Sequence, residues 1–195
     1  MKISNIFTRP KIIGLVSNPD EGKSNFIYWI IEELKSQYQF NLYSYGLRVE
    51  IGEQKIFSLE ELEGIENGIV FVDEFASLFQ LSNRKLWTSV EKTLRLIYHN
   101  NNVIILSGLP ENFHKFVAAK LDTIIYKKCN IHDFINNSKI KQVATQYGGP
   151  ELGYSVLNIK KDEVLVFDGH YTKMFIPYLK KYDTKRNNSP ILQEK

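Results

Sequence analysis

Apolar positions along this chain change their spacing as it proceeds, and the changes mark out its elements. Ile12–Val16 is a continuous run of Ile, Gly, Leu and Val that reads, with Lys11, as a strand over Lys11–Val16. From about Lys23 to Gln37, Phe26, Ile27, Ile30, Ile31 and Leu34 fall at helical spacing; Tyr28 and Trp29 flank that face, which predicts a helix covered on more than one side. Phe40–Tyr45 predicts a second strand, and Gly46–Lys55 is polar and irregular. Ser58-Leu59-Glu60-Glu61 is a capping box that opens a short helix, which Gly64 stops. Ile69–Val72 and Val103–Leu106 are apolar without alternation, as suits strands buried on both faces of a parallel sheet. Between them, Ser82-Asn83 caps a helix over Arg84–His99 with Leu86, Val90, Leu94 and Ile97 on one face, ended by Asn100–Asn102. Ser107-Gly108 closes the fourth strand, Pro110 starts a short helix through Ala119, and Thr123–Tyr126 is a fifth strand.

This alternation of strand and helix predicts an α/β fold whose mostly parallel central sheet is flanked by helices, with a core over residues 11–127. Farther on, Ile140–Tyr147, Tyr154–Ile159 and Glu163–Phe167 read as shorter strands, with Lys160-Lys161-Asp162 as a tight turn between the last two. They predict a small antiparallel C-terminal extension over 140–183, interrupted by a flexible break at Gly148-Gly149-Pro150. The whole of 1–183 is expected to form one domain, and the polar stretch 184–195 a disordered tail.

Composition changes this picture little. At 43% hydrophobic and 24% charged, 195 residues suit one soluble domain with a full core. Charge is uneven: residues 1–110 sum to −2 and residues 111–195 to +5, which is compatible with a nucleic-acid or membrane-surface contact through the C-terminal part, or with a solvated lysine-rich face. A single cysteine, Cys129, excludes an internal disulfide and offers no metal cluster. No apolar run approaches the ~20 residues that span a bilayer, and Arg9, Pro10 and Lys11 interrupt any signal-peptide core, so a cytoplasmic location is expected.

The chemistry concentrates between the first strand and the first helix. Ser17-Asn18-Pro19-Asp20-Glu21-Gly22-Lys23-Ser24 fits the P-loop pattern G-x-x-x-x-G-K-[ST] at Gly22, Lys23 and Ser24, while Ser17 takes the first glycine slot. In such a loop backbone N–H groups wrap a phosphate, the lysine meets the β/γ-phosphates, the hydroxyl holds Mg²⁺, and the helix start adds orphan N–H donors. Residues Ser17 to Asn25 are therefore candidates for binding ATP; Asp20 and Glu21 add negative charge that is unusual beside a phosphate. A second constellation ends the strand at Val72. Asp73 and Glu74 lie at the carboxyl end of a buried strand, on the same sheet edge as the P-loop. This is the Walker B pattern, with Asp73 and Ser24 as metal ligands and Glu74 orienting and deprotonating a water.

The spacing of these motifs resembles the additional-strand, catalytic-glutamate class of P-loop ATPases. That resemblance implies the sheet order 5-1-4-3-2, and a polar sensor of the γ-phosphate at the end of the fourth strand, where Ser107 stands; serine there is also a common turn former. Phosphoryl transfer also wants a further cation, often an arginine from a neighbouring subunit. Of Arg9, Arg48, Arg84, Arg95 and Arg186, the helical Arg84 and Arg95 are the candidates, though Arg95 and His99 also suit a surface pair.

The order Gly22-Lys23-Ser24, Phe71-Val72-Asp73-Glu74-Phe75, Arg95-x-x-x-His99 and Val103–Ser107 resembles the FtsK–HerA superfamily of DNA-pumping ATPases over about residues 11–127. Within it the chain looks most like viral genome-packaging ATPases, with zonula-occludens-toxin-like phage assembly proteins next. The toxin-like branch carries a membrane anchor, and this chain shows no such segment. The resemblance implies a homo-oligomeric ring, hexamer or pentamer, that translocates double-stranded DNA. Location is then the host cytoplasm or the virion, with a capsid or membrane assembly component as a further partner. Ser17, and Ser107 where glutamine or asparagine is common, depart from the family pattern. Two other readings use the same P-loop. A small-molecule kinase wants an arginine-bearing lid, and residues 108–127 hold no arginine; a nucleotide-dependent assembly switch without turnover is compatible with Asp20 and Glu21.

Overall fold

The structure, a computed structural model, describes residues 6–7, 10–48, 52–80, 83, 87–113, 115–129 and 156–180. The elements run β1 (Lys11–Val16), α1 (Lys23–Gln37), β2 (Asn41–Tyr45), β3 (Gln54–Lys55), α2 (Leu59–Glu63), β4 (Gly68–Val72), α3 (Phe75–Leu78), α4 (Trp87–His99) and β5 (Val103–Gly108). They continue with a 3₁₀ turn at Pro110–Asn112, α5 (Lys115–Ala118), β6 (Thr123–Tyr126), β7 (Glu163–Phe167) and β8 (Tyr171–Phe175).

One sheet takes all eight strands in the order β3-β2-β4-β5-β1-β6-β7-β8. β1 to β6 pair in parallel, and β7 and β8 join antiparallel at one edge. Counting only the five strands expected from sequence, the order is 5-1-4-3-2, and β5 lies between β4 and β1 as that order requires. β1, β4, β5 and β6 are buried along their whole length because both faces are covered, which explains their lack of alternation. On one face Ile13, Leu15, Phe71, Ile105 and Ile125 pack against Phe26, Ile27, Ile30, Ile31 and Leu34 of α1. On the other, Ile12, Val16, Val70, Val72, Ile104 and Leu106 meet Leu62 of α2 and Val90, Leu94 and Ile97 of α4.

Two polar devices fix the entry to the central strands. Ser58 Oγ accepts from Glu61 N at 3.2 Å, so the capping box forms, but Glu61 answers one residue early by accepting from Phe57 N at 2.9 Å. After α4, the buried Asn102 donates from Nδ2 to Ile65 O at 2.6 Å and accepts at Oδ1 from Gly68 N at 2.8 Å. That amide thereby satisfies the backbone just before β4 and sets the height at which β4 enters the sheet.

The C-terminal part departs from expectation. An antiparallel hairpin is present, but its strands are β7 and β8, joined through Asp168-Gly169-His170 with Gly169 at φ 97°. Tyr154–Ile159 is not a strand over its described part: Val156-Leu157 is a helical turn. Val156 and Ile159 are buried while Asn158 is exposed, a spacing of three that puts both apolar side chains on one side of a turn, where a strand would separate them. Lys160-Lys161-Asp162 therefore leads from that turn into β7 and is not a hairpin loop. The expected strand over 140–147, the break at 148–150 and the tail from 184 lie outside the described residues.

Replacing Asn102 by Ala leaves the Gly68 N–H and Ile65 carbonyl buried without that partner. Each such group costs about 1–3 kcal/mol, so urea denaturation should show a loss of roughly 2–6 kcal/mol. Asn101→Gly, on the exposed side of the same turn and free to keep the left-handed φ of 55° found there, should change stability by less than about 1 kcal/mol.

Candidate functional site

Because β1, β2, β4, β5 and β6 are parallel, their carboxyl ends share one edge. There Ser17–Ser24 follow β1, Gly46–Arg48 follow β2, Asp73-Glu74 follow β4, Ser107 is the penultimate residue of β5, and Lys127 follows β6. A cleft of about 830 Å³ opens along this edge. Its floor and walls include Gly22, Lys23, Ser24, Arg48, Asp73 and Glu74.

The loop into α1 is held from behind. Ser17 is fully buried, its N–H donates to Gly108 O at 3.3 Å, and its hydroxyl donates to Asn18 O at 2.8 Å. Its φ is not positive, so serine stands in the first glycine slot without backbone strain. Gly22 does need its freedom: at φ 86° it turns the chain into α1. No side chain caps α1, whereas Ser58 caps α2. The N–H groups of the first turn, with the positive end of the helix dipole, are therefore presented to an anion in the cleft.

Opposite, β4 delivers a constrained carboxylate pair. Asp73 N donates to Tyr45 O at 2.9 Å, and a Cβ on Gly46 would sit 2.9 Å from Asp73 O, so β2 can approach only because position 46 is glycine. Asp73 Oδ1 accepts from Ser107 Oγ at 2.7 Å and from Glu74 N at 3.2 Å; Oδ2 accepts nothing among the described residues. Burial raises the Asp73 carboxyl above the ordinary range, while the Ser107 hydroxyl and Lys23 ammonium oppose that. Glu74 takes left-handed φ 49°, ψ 53°, a strained conformation of the kind that clusters at functional sites. From there Glu74 Oε1 meets Lys23 Nζ at 3.3 Å. The lysine and both carboxylates thus converge on one cleft.

Other candidates lie elsewhere. Pro19, Asp20 and Asn25 line the cleft, but Asn25 uses both ends of its amide on residues 177–179: Nδ2 donates to Pro177 O at 3.1 Å and Oδ1 accepts from Leu179 N at 2.8 Å. Glu21 does not line it; one carboxylate oxygen is buried beneath the loop without a hydrogen bond, in the field of the buried Lys127 ammonium. That accounts for an acid next to the phosphate-loop lysine, since its charge is turned away. Ser107 is buried and committed to Asp73. Arg95 is exposed on α4 and pairs with Glu91 at 3.0 Å, and Arg84 is outside the described residues. Sequence reasoning passed over Arg48, Lys55, Lys161 and Tyr178, all of which line the cleft. Arg48 had a readable signal, two residues past Gly46 at a strand end on this edge; Lys161 and Tyr178 arrive through the hairpin and had none.

Among the described residues no group of three or more His, Cys, Asp and Glu is disposed to hold a metal by itself, and no helix is long and apolar enough to cross a membrane. Cys129 is buried, its thiol 3.6 Å from Lys127 O.

No protein-family model and no curated protein matches the chain. Solved structures do. The DNA-packaging ATPase B204 of Sulfolobus turreted icosahedral virus aligns with a TM-score of 0.66 at 14% identity, covering 87% of this chain and 98% of B204. This chain has the fold of the P-loop NTPases. The genome-packaging NTPase B204 of Sulfolobus turreted icosahedral virus 2, in complex with ATP-γS, aligns at TM-score 0.62 and 16% identity over 87% of this chain and 98% of that one. The conjugation coupling protein TcpA of pCW3, with ATP-γS, aligns at 0.60 and 12% over 91% and 62%. In structure this P-loop fold therefore resembles viral packaging ATPases and FtsK/HerA-like ATPases.

Two measurements test the supports of this edge. Gly46→Ala places a methyl group against Asp73 O in a left-handed backbone, and should destabilise the fold by at least about 1–2 kcal/mol in denaturant titration. Lys127 donates to Glu163 O at 3.1 Å and to Lys161 O, and burial lowers its ammonium to about 8 despite Glu21, Asp162 and Glu163. Between pH 8 and about 10 the unfolded chain keeps a proton there that the folded chain has released, so this residue's contribution to stability rises with pH. Wild type should gain on the order of 2 kcal/mol relative to Lys127→Met across that window.

Proposed function

We propose that this chain is an ATP-hydrolysing motor that translocates double-stranded DNA, with viral genome packaging as its task. The observation that carries the ATPase part is the convergence of Lys23, Asp73 and Glu74 on one cleft beside the uncapped start of α1. The N–H groups of the P-loop and Lys23 would bind the β/γ-phosphates of ATP. The donor set fits a magnesium ion: Asp73 Oδ2 is unengaged among the described residues, the Ser24 side chain is exposed at the cleft, and such ions are held by one or two carboxylates plus substrate phosphates. When bound, the ion supplies positive charge to the phosphate oxygens during transfer. Glu74, placed 3.3 Å from Lys23, holds and deprotonates the attacking water, and Ser107 orients Asp73.

The DNA part rests on the neighbours, which are a DNA-packaging ATPase and a conjugation coupling protein. The +5 charge of residues 111–195 is compatible with it. A homo-oligomeric ring would bring a neighbour's Arg84 or Arg95 to the phosphates, Arg95 leaving Glu91 to do so.

ATP turnover by the purified chain, with and without double-stranded DNA and alongside oligomer mass, tests the reading. Hydrolysis without an added acceptor hydroxyl excludes the kinase alternative, and stimulation by DNA supports the motor. Glu74→Gln should keep ATP binding and lose about 10²–10⁴-fold in turnover; Lys23→Ala should lose binding. A Glu74→Gln variant as fast as wild type removes the role assigned to Glu74, and tight binding without turnover favours a switch.

A further inference from the structure

The cleft has a second end that the phosphate chemistry does not use. In the sheet, β4 with Asp73 and Glu74 lies on one side of β1, and β6, β7 and β8 lie on the other. If the terminal phosphate of a ligand sits between Lys23 and Glu74, the rest of that ligand runs from the α1 start away from β4. On that side the walls are Lys161, Tyr178 and Leu179, all from the C-terminal part.

The segment that carries Tyr178 is built in place. It leaves β8 at Ile176, which is buried and donates its N–H to Asp162 O at 2.7 Å. The next turn is gripped by Asn25, which donates to Pro177 O and accepts from Leu179 N. Tyr178 stands between those two anchors, 58% exposed, at the cleft. An exposed aromatic on a backbone pinned at both neighbours presents a ring at low conformational cost.

We propose that residues 176–180 form the nucleobase subsite of this cleft, with the Tyr178 ring as its stacking face and Asn25 as the positioning residue that ties it to the phosphate loop. The inference rests on the nucleotide reading above and adds the substrate class. Stacking recognises any base through its π-face, and the Asn25 amide is committed to the strap on both atoms. The subsite therefore takes ATP and GTP within a few-fold of one another and prefers purines, whose π-faces are larger, to pyrimidines.

Equilibrium binding to the full chain tests this with two probes: Mg-ATP, and Mg-tripolyphosphate, which has no base. Tyr178→Ala should weaken ATP about tenfold and leave tripolyphosphate within about twofold, while Tyr178→Phe, which keeps the ring, changes neither. Phe57→Ala, at a residue that lines the cleft just after β3, the strand at the far edge of the sheet from β8, should leave the affinity for both unchanged. Unchanged ATP affinity in Tyr178→Ala overturns the subsite while tripolyphosphate binding upholds the phosphate site. So does equal loss of both probes, which would make the strap a support for the loop. An ATP-only loss in Phe57→Ala would place the base at the other end. Wild type that binds neither probe overturns the phosphate site and this inference together.

Discussion

The site depends on keeping one desolvated carboxylate charged and aimed. Asp73 stands where three strands end side by side, and burial there favours the neutral acid. Its backbone is fixed by Tyr45, its Oδ1 by Ser107 and the Glu74 amide, and its charge is favoured by Lys23. Each partner comes from a different element: β2, β5, the turn after β4, and α1. The order β2-β4-β5-β1 is what makes them neighbours, so sheet topology and site electrostatics are one constraint. The same tightness leaves room only for glycine at 46 and holds Glu74 in a left-handed conformation.

The opposite flank is organised by a buried cation. Lys127 continues β6, donating its N–H to Val16 O at 2.9 Å, and its ammonium is bonded to the carbonyls of Lys161 and Glu163. It thereby ties the start of the C-terminal hairpin to the underside of the phosphate loop, where Glu21 supplies compensating charge. A burial of this kind persists only because carbonyls and carboxylates surround it. The hairpin extends the sheet while the segments flanking it, at Lys161 and at Tyr178-Leu179, form part of the cleft wall, and through Asn25 the last described segment returns to α1.

Much of this was readable beforehand, for uneven reasons. β1, β6 and β7 and helix α1 have the bounds that the apolar pattern predicts, because burial on one or both faces dictates side-chain type. β8 escaped notice although Asp168-Gly169 is a strong hairpin signal; its Thr172, Lys173 and Met174 lie at the sheet edge, where nothing demands an apolar pattern. Tyr154–Ile159 misled because a short apolar run does not distinguish a strand from a helical turn without its tertiary partners.

By itself the sequence determined the parallel α/β layout, the strand-loop-helix context of Lys23 and the strand-end placement of Asp73 and Glu74. These follow from local spacing and from burial, which are written residue by residue. The strand order was expected through family resemblance, and only the tertiary structure decided it for this chain. Tertiary structure alone decided that Ser107 serves Asp73, that Glu21 turns inward to Lys127, that Asn25 holds the C-terminal strap, and that Arg48 and Tyr178 reach the cleft. Each of those joins residues separated by a crossover or by most of the chain, and local propensity carries no information about which distant polar group will satisfy a buried one.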